Sequence, residues 1–312
     1  MRIYSTELDL KDETFFFSFL CCGKNKFEKF KNMIDINKNY NESNLETMVK
    51  MPDCFVDLTV TSPPYDGLRT YENEDYLTCG EFEQMVQELW RITKQGGVVV
   101  WIVGDSVKNG NESGTSFYHA LTFKKYGWNL FDTMIYFKNG GLNSGANNSY
   151  IQKFEYMFVF SKGKIKTTNI IEDRPNEHTK PRTKKKRNPD GRFRIQEVLT
   201  KEQGKRYNIW CVNTGIPHST QDKFAYEHPA IFPEELANDH ILSWSNEGDL
   251  VYDCFMGSGT VAKMSILNNR NWIGSEISSE YCNIIDERIK KAWEEKRKEK
   301  DLQAGTLFGN EM

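Results

Sequence analysis

Two short stretches of this 312-residue chain combine residue types able to do chemistry. The first is Thr61-Ser62-Pro63-Pro64-Tyr65, which closes the β-branched, apolar run Phe55-Val56-Asp57-Leu58-Thr59-Val60. That run predicts a buried strand ending in a loop. Two consecutive prolines cannot continue a sheet, because each lacks an N–H donor and has a fixed φ. Each also holds the residue before it in extended geometry. The product is a stiff corner that points the Pro63 carbonyl and the Ser62 hydroxyl outward, with an aromatic ring directly behind. Rigid acceptors beside a π-face could hold a planar ring bearing an –NH2 group. The same five residues also suit a proline-terminated strand in any α/β protein.

The second stretch is Gly257-Ser258-Gly259-Thr260-Val261-Ala262, a G-x-G-x-x-A pattern between a predicted strand and a predicted helix. Glu276 ends the next strand, about twenty residues on. Glycines there allow close backbone approach, and the acid can bind the hydroxyls of a ribose. Alone, the pattern admits NAD, FAD or another adenosine-bearing cofactor, S-adenosylmethionine included. A glycine turn without a ligand also satisfies it.

A third feature is electrostatic. The chain carries a net charge of −3, but between His178 and Arg206 eleven Lys/Arg face three acids, a local +8 that leaves −11 elsewhere. Lys184-Lys185-Lys186-Arg187, Arg192 and Arg194 form its densest part, with Phe193, Tyr207 and Trp210 interleaved. Such a segment can neutralise phosphates; the plainer alternative is a solvated face. The seven cysteines are odd in number and contain no C-x-x-C pair. That predicts reduced thiols and a cytoplasmic location, with neither a disulfide framework nor a zinc site. The apolar stretch Phe15 to Cys22 is too short to span a bilayer. Glu7, Asp9, Asp12 and Glu13 ahead of it do not suit a secretory signal.

Alternating elements must position these groups. Residues 66–80 are polar and acidic with no period, the expectation for a functional loop. Phe82, Met85, Val86 and Leu89 predict an amphipathic helix, with Gly96-Gly97 as its end. Val98 to Val103 predicts a strand buried on both faces. A helix over Ser116–Tyr126 follows, then strands over Leu130–Phe137 and Phe154–Phe160, which can pair as a wide antiparallel hairpin across the tract 139–149. From Lys162 to about Ala225 the apolar period disappears, which predicts an inserted module. A helix over Pro233–Ser243, a strand over Asp249–Phe255, a helix over Val261–Asn269, a strand over Asn271–Ile277 and a charged helix from Ser278 complete an α/β pattern. Before residue 50, a weak strand near Tyr40–Ser43 and a short helix from Leu45 are expected.

The order of motifs carries a resemblance. Ser62-Pro63-Pro64-Tyr65, a basic region, His228-Pro229-Ala230-Ile231-Phe232-Pro233, then Phe255-Met256-Gly257-Ser258-Gly259-Thr260 with Glu276 resembles the β class of DNA amino-methyltransferases over residues 40–290. In that class the catalytic motif precedes the cofactor motif. The resemblance implies a Rossmann-like α/β fold in circularly permuted order, with a mostly parallel sheet and one antiparallel strand. It implies a catalytic half over 1–163, a target-recognition insert over 164–225 and a cofactor-binding half over 226–312. S-adenosylmethionine is the implied cofactor, with no metal. Its implied contacts are Asp253, Phe255 against the adenine, Gly257, Ser258, Gly259 and Thr260 along the methionine portion, Glu276 on the ribose and His228 nearby. A helix-entry residue packed on Pro229 is the other reading of His228. Ser62, Pro63, Pro64 and Tyr65 would form the catalytic site. Serine in the first position implies N4 of cytosine, with N6 of adenine as runner-up. Implied partners are double-stranded DNA and a cognate restriction endonuclease, for a monomer or homodimer off the membrane. The chain departs from the family twice: Cys254 stands where many relatives have proline, and Glu42-Ser43 where many have Gly-Asp.

Three other classes remain on the sequence alone. A nucleic-acid-binding protein could retain the fold without turnover. A protein-amide methyltransferase uses a related motif with asparagine first. An NAD oxidoreductase would leave Ser62–Tyr65 without a role.

Overall fold

The computed structural model describes residues 34–64, 78–140, 150–177, 182–198 and 201–308. Tyr65 and most of the expected loop after it lie outside these residues, as does the tract 141–149. In chain order the main elements are β1 (Lys38–Tyr40), α1 (Asn44–Lys50), β2 (Val56–Thr61), α2 (Cys79–Ile92), β3 (Thr93–Val103), α3 (Thr115–Lys125), β4 (Asn129–Asn139) and β5 (Phe154–Ser161). Then come β6 (Arg182–Arg187), β7 (Phe193–Val198), β8 (Ile209–Asn213), α4 (Glu234–Trp244), β9 (Leu250–Asp253), α5 (Thr260–Leu267), β10 (Asn271–Ser275) and α6 (Ser279–Phe308).

Eight strands form one sheet in the order β1-β10-β9-β2-β3-β5-β4-β8. All neighbours run parallel except at β5, which is antiparallel to both β3 and β4. The expected single antiparallel strand is therefore β5. Both faces are covered, and β3 shows why its run is uninterrupted. Val99, Trp101 and Val103 pack into the cluster holding Met48, Phe82, Met85 and Phe123. Val98, Val100 and Ile102 pack into the opposite cluster with Leu236, Ile241 and Val261. Side chains alternate across a strand, so a strand buried on both faces must be apolar at every position.

Two boundaries differ from expectation for local reasons. α2 starts at Cys79 because Thr78 and Glu81 form a capping box, Thr78 Oγ1 accepting from Glu81 N–H and the Glu81 carboxylate accepting from Thr78 N–H. Its end is Thr93, where the chain turns extended, and Gly96-Gly97 belong to β3. Gly96 sits at φ +83° beside a register shift between β2 and β3, a bulge that needs glycine. Ser43 and Glu46 make the same box at α1. The basic stretch also contains more regular structure than its composition predicts. Ile209–Asn213 is a strand of the main sheet, parallel to β4, with Trp210 and Val212 in the core.

Candidate active site

β2 and β9 are neighbours in the sheet, paired Val251 to Leu58 and Tyr252 to Thr59, although some 190 residues separate them. From β2 the chain passes through α2 to β3 on one side; from β9 it passes through α5 to β10 on the other. The strand order reverses between them, and a crevice opens at such a switch point beyond the carboxyl ends of the strands. The proline corner leaves the end of β2, and the glycine turn leaves the end of β9. Both open into a cleft of about 1190 Å³, lined by Ser62, Pro63, Pro64, Phe255, Gly257 and Glu276 among others.

The two strand ends are tied together. Thr61 Oγ1 donates to Asp253 Oδ1 at 2.7 Å, and Phe255 N–H donates to the same oxygen at 3.1 Å. Burial pushes the Asp253 carboxyl up to about 7, against the opposing pull of these two donors. Both of these bonds fall on Oδ1. Phe255 stands edge-on to the fully buried Trp101, with ring centroids 6.2 Å apart. Phe255 also lines the cleft.

Glu276 is held by backbone. Gly257 N–H donates to Oε2 at 2.8 Å and Ser278 N–H to Oε1 at 2.9 Å. Burial raises its pKa while these N–H groups act to lower it. An ionised carboxylate offers about four lone-pair sites, so a fixed Glu276 can still accept from the vicinal hydroxyls of a ribose. Gly257 has φ +53°, and a Cβ there would stand 3.2 Å from the His228 ring. The left-handed φ and the close approach to His228 both favour glycine there. His228 Nδ1 accepts from Ala230 N–H at 3.1 Å, and its ring meets Tyr281 edge-on. His228 and Tyr281 both line the cleft. These groups fit an adenosine-bearing cofactor: a fixed ribose acceptor and an aromatic side chain are present.

Of the remaining turn residues, Ser258 and Thr260 line the cleft and Gly259 does not. Gly259 precedes α5 at φ +80°, and a Cβ there would meet Ile285 of α6 at 3.3 Å. It serves helix packing and is not among the cleft-lining residues. The Ser258 carbonyl and hydroxyl each accept from Arg288 Nη1 at 3.0 Å. Thr260 Oγ1 accepts from the same nitrogen at 2.8 Å and donates to the Phe232 carbonyl at 3.0 Å. Both hydroxyls thus brace the turn at the edge of the cleft.

Arg288 was not singled out by the sequence, where its helix reads as a charged, solvated face. It is 0% exposed. Its guanidinium also reaches Glu234 Oε1 at 2.6 Å and Asp222 Oδ2 at 3.2 Å, and Lys263 Nζ donates to Glu234 Oε1 at 2.9 Å and Asp222 Oδ2 at 2.8 Å. Two cations and two acids thus lie beneath the glycine turn and join α4, α5 and α6 to it. The far wall of the cleft was also missed: Tyr136, Lys138, Glu155 and Thr214 line it, with Lys138 and Glu155 ion-paired. They come from β4, β5 and the end of β8, which only strand pairing brings to this edge. Asp105, by contrast, accepts from Ser116 N–H and the Ser113 hydroxyl at the start of α3, the turn role its position after Gly104 suggests.

Lys184, Lys185, Lys186 and Arg187 lie on β6, Arg194 on β7 and Arg192 in the connecting turn. All six are exposed, and none lines the cleft. Other cations of the basic segment are committed elsewhere. Arg206 is paired with Asp173 and Asp239, which raise its pKa, and Lys201 is paired with Glu172.

A proline corner and an adenosine-type turn, side by side at the switch point of a mostly parallel sheet, define a Rossmann-like methyltransferase. This chain belongs to the DNA methylase family, whose N6/N4 methyltransferase pattern matches residues 56–287. It is 55% identical over 244 residues to the orphan methyltransferase M.BamHII of Bacillus amyloliquefaciens, covering 76% of this chain and 90% of that protein. It is 27% identical over 259 residues to the type II methyltransferase M.BglII of Bacillus subtilis, covering 80% and 68%. The fold is shared with PvuII DNA methyltransferase (cytosine-N4-specific) at TM-score 0.59 and 20% identity over 80% of this chain and 85% of that one. It is shared with the M1.HpyAVI–SAM complex at TM-score 0.53 and 18% identity over 81% and 98%. Among the described residues no helix is long and apolar enough to cross a membrane.

Proposed function

We propose that this DNA methyltransferase uses S-adenosylmethionine and modifies the exocyclic N4 of cytosine in double-stranded DNA. The observation that carries this reading is the shared cleft: the Ser62-Pro63-Pro64 corner and the Gly257–Glu276 cofactor turn open into it from adjacent strand ends. When bound, S-adenosylmethionine supplies an electrophilic methyl group. Glu276 would accept from its ribose hydroxyls, Phe255 would cover its adenine, and Gly257 and His228 would border it.

The chain's part in the chemistry is positional. An exocyclic amine is a poor nucleophile because its lone pair is delocalised into the ring. Ser62 Oγ and the Pro63 carbonyl would each accept one N–H of that amine. This draws the nitrogen toward a tetrahedral form with its lone pair directed away from the acceptors. Pro64 keeps the corner rigid, and by family resemblance Tyr65 stacks on the base. The base must leave the duplex to reach the cleft, so flipping is part of the cycle.

Serine at position 62 favours cytosine N4, by resemblance. Nucleoside mass spectrometry of DNA from cells expressing the chain tests it: N4-methylcytosine is expected, and N6-methyladenine alone would replace this reading with the adenine one. On a companion nuclease the relatives divide. M.BglII, named a type II methyltransferase, is 27% identical, while M.BamHII, named an orphan methyltransferase, is 55% identical. The higher identity favours action without a dedicated nuclease.

A further inference from the structure

β6 and β7 form a two-stranded antiparallel ribbon, pairing Arg187 with Phe193, Lys186 with Arg194, Lys185 with Ile195 and Lys184 with Gln196. The turn Asn188-Pro189-Asp190-Gly191-Arg192 closes it: Gly191 N–H donates to the Asn188 carbonyl, Arg192 N–H to Asp190 Oδ1, and Gly191 takes φ +84°. Directly paired residues on antiparallel strands share a face, and successive residues alternate. The ribbon therefore has two chemically different sides. Lys184, Lys186, Arg194 and Gln196 occupy one, which holds no acid and continues to the Arg182–Val198 pair at the open end of the ribbon. Lys185, Arg187, Phe193 and Ile195 occupy the other, joined by Glu197 opposite Thr183.

Among the described residues, no core cluster includes either side of the ribbon. Phe193 is 67% and Ile195 70% exposed, and the four side chains of the polar face are exposed as well. A two-stranded ribbon without a packed face is marginal in water, so its stable use is in a complex. The major groove of a DNA duplex admits a two-stranded ribbon. It also presents the partners that the polar face lacks: guanine O6 and N7 for Lys or Arg, and adenine N6 and N7 for Gln.

We infer that this ribbon enters the major groove with Lys184, Lys186, Arg194 and Gln196 toward the base edges, while Lys185 and Arg187 reach phosphates at the groove wall. The ribbon thereby divides base readout from phosphate anchoring between its two sides. This inference rests on the reading of the protein as a methyltransferase of duplex DNA. Substitution at these exposed positions removes no core contact.

The test compares binding of the full chain to a duplex containing the site it methylates and to a scrambled duplex, across a salt series. Q196A should lower the specific-to-scrambled affinity ratio roughly tenfold, with an unchanged salt slope. K185A should weaken both duplexes alike, keep the ratio, and reduce the salt slope by about 0.9. R194A should do both. An unchanged ratio in Q196A and R194A, or a ratio lost in K185A, overturns the assignment of faces. A wild-type chain that methylates no duplex overturns the functional reading instead, and is read in the methylation assay before any variant is made.

Discussion

At the scale of single residues, the site rests on acceptors whose positions are set before any ligand arrives. Pro63 and Pro64 stiffen the corner that presents the Ser62 hydroxyl, and two backbone N–H groups set Glu276. In the proposed site Ser62 supplies one of two acceptors for the amine, so its loss should act on the chemical step. S62A is expected to lower methyl transfer about 10²-fold or more, while the affinity for S-adenosylmethionine, measured by calorimetry, stays near that of the wild type. Unimpaired transfer would show that the Pro63 carbonyl suffices. Ser62, Pro63, Gly257 and Glu276 were legible as residues because rigid corners and left-handed turns admit few residue types. The bonds that tie Ser258 and Thr260 to the buried Arg288 were not, because no local pattern marks a hydroxyl that braces an arginine about thirty residues away.

At the scale of elements, α6 differs most from its sequence. Its later half reads as a run of charges, yet Arg288, near its start, projects into the interior and holds the loop before α5. Removing one member of a buried ionic cluster leaves the other charges unpaired. R288M should therefore cost on the order of 3–5 kcal/mol of stability, read from urea denaturation. Replacing Lys291 of the same helix, whose charge pairs with Glu287 at the exposed surface, should cost within about 1 kcal/mol. Equal losses at both positions would remove Arg288 from its structural role. The starts of α1 and α2 were readable in principle: Ser43-x-x-Glu46 and Thr78-x-x-Glu81 are capping-box patterns. Ile209–Asn213 was hidden by the basic, aperiodic segment around it, and only its parallel pairing with β4 gives it a place in the core.

At the scale of the whole molecule, the sheet joins the two ends of the sequence through β2 and β9, and Asp253 sits on that seam. Its carboxyl lies at about 7 in the folded chain against 3.8 for the ordinary group. A raised carboxyl binds its proton more tightly when folded. The resulting stability is full below the unfolded value and is lost as the pH rises through about 7. D253N keeps an oxygen for the Thr61 and Phe255 donors but cannot ionise. Between about pH 4 and pH 8 the stability of the wild type should fall relative to D253N by on the order of 2–4 kcal/mol, and a constant difference would place the carboxyl near its ordinary value.

The sequence by itself determined the local chemistry, the order of the motifs and the element types outside the basic segment, because prolines, glycines and apolar periods constrain the backbone nearest to them. The tertiary structure alone decided that β2 and β9 lie side by side, so that the Ser62 corner opens into the cleft of the glycine turn. It also decided that Lys138 and Glu155 form the opposite wall, and that Arg288 is an interior clamp. Each of these is a contact between residues distant in the chain, set by strand order and helix packing, and no local pattern encodes it.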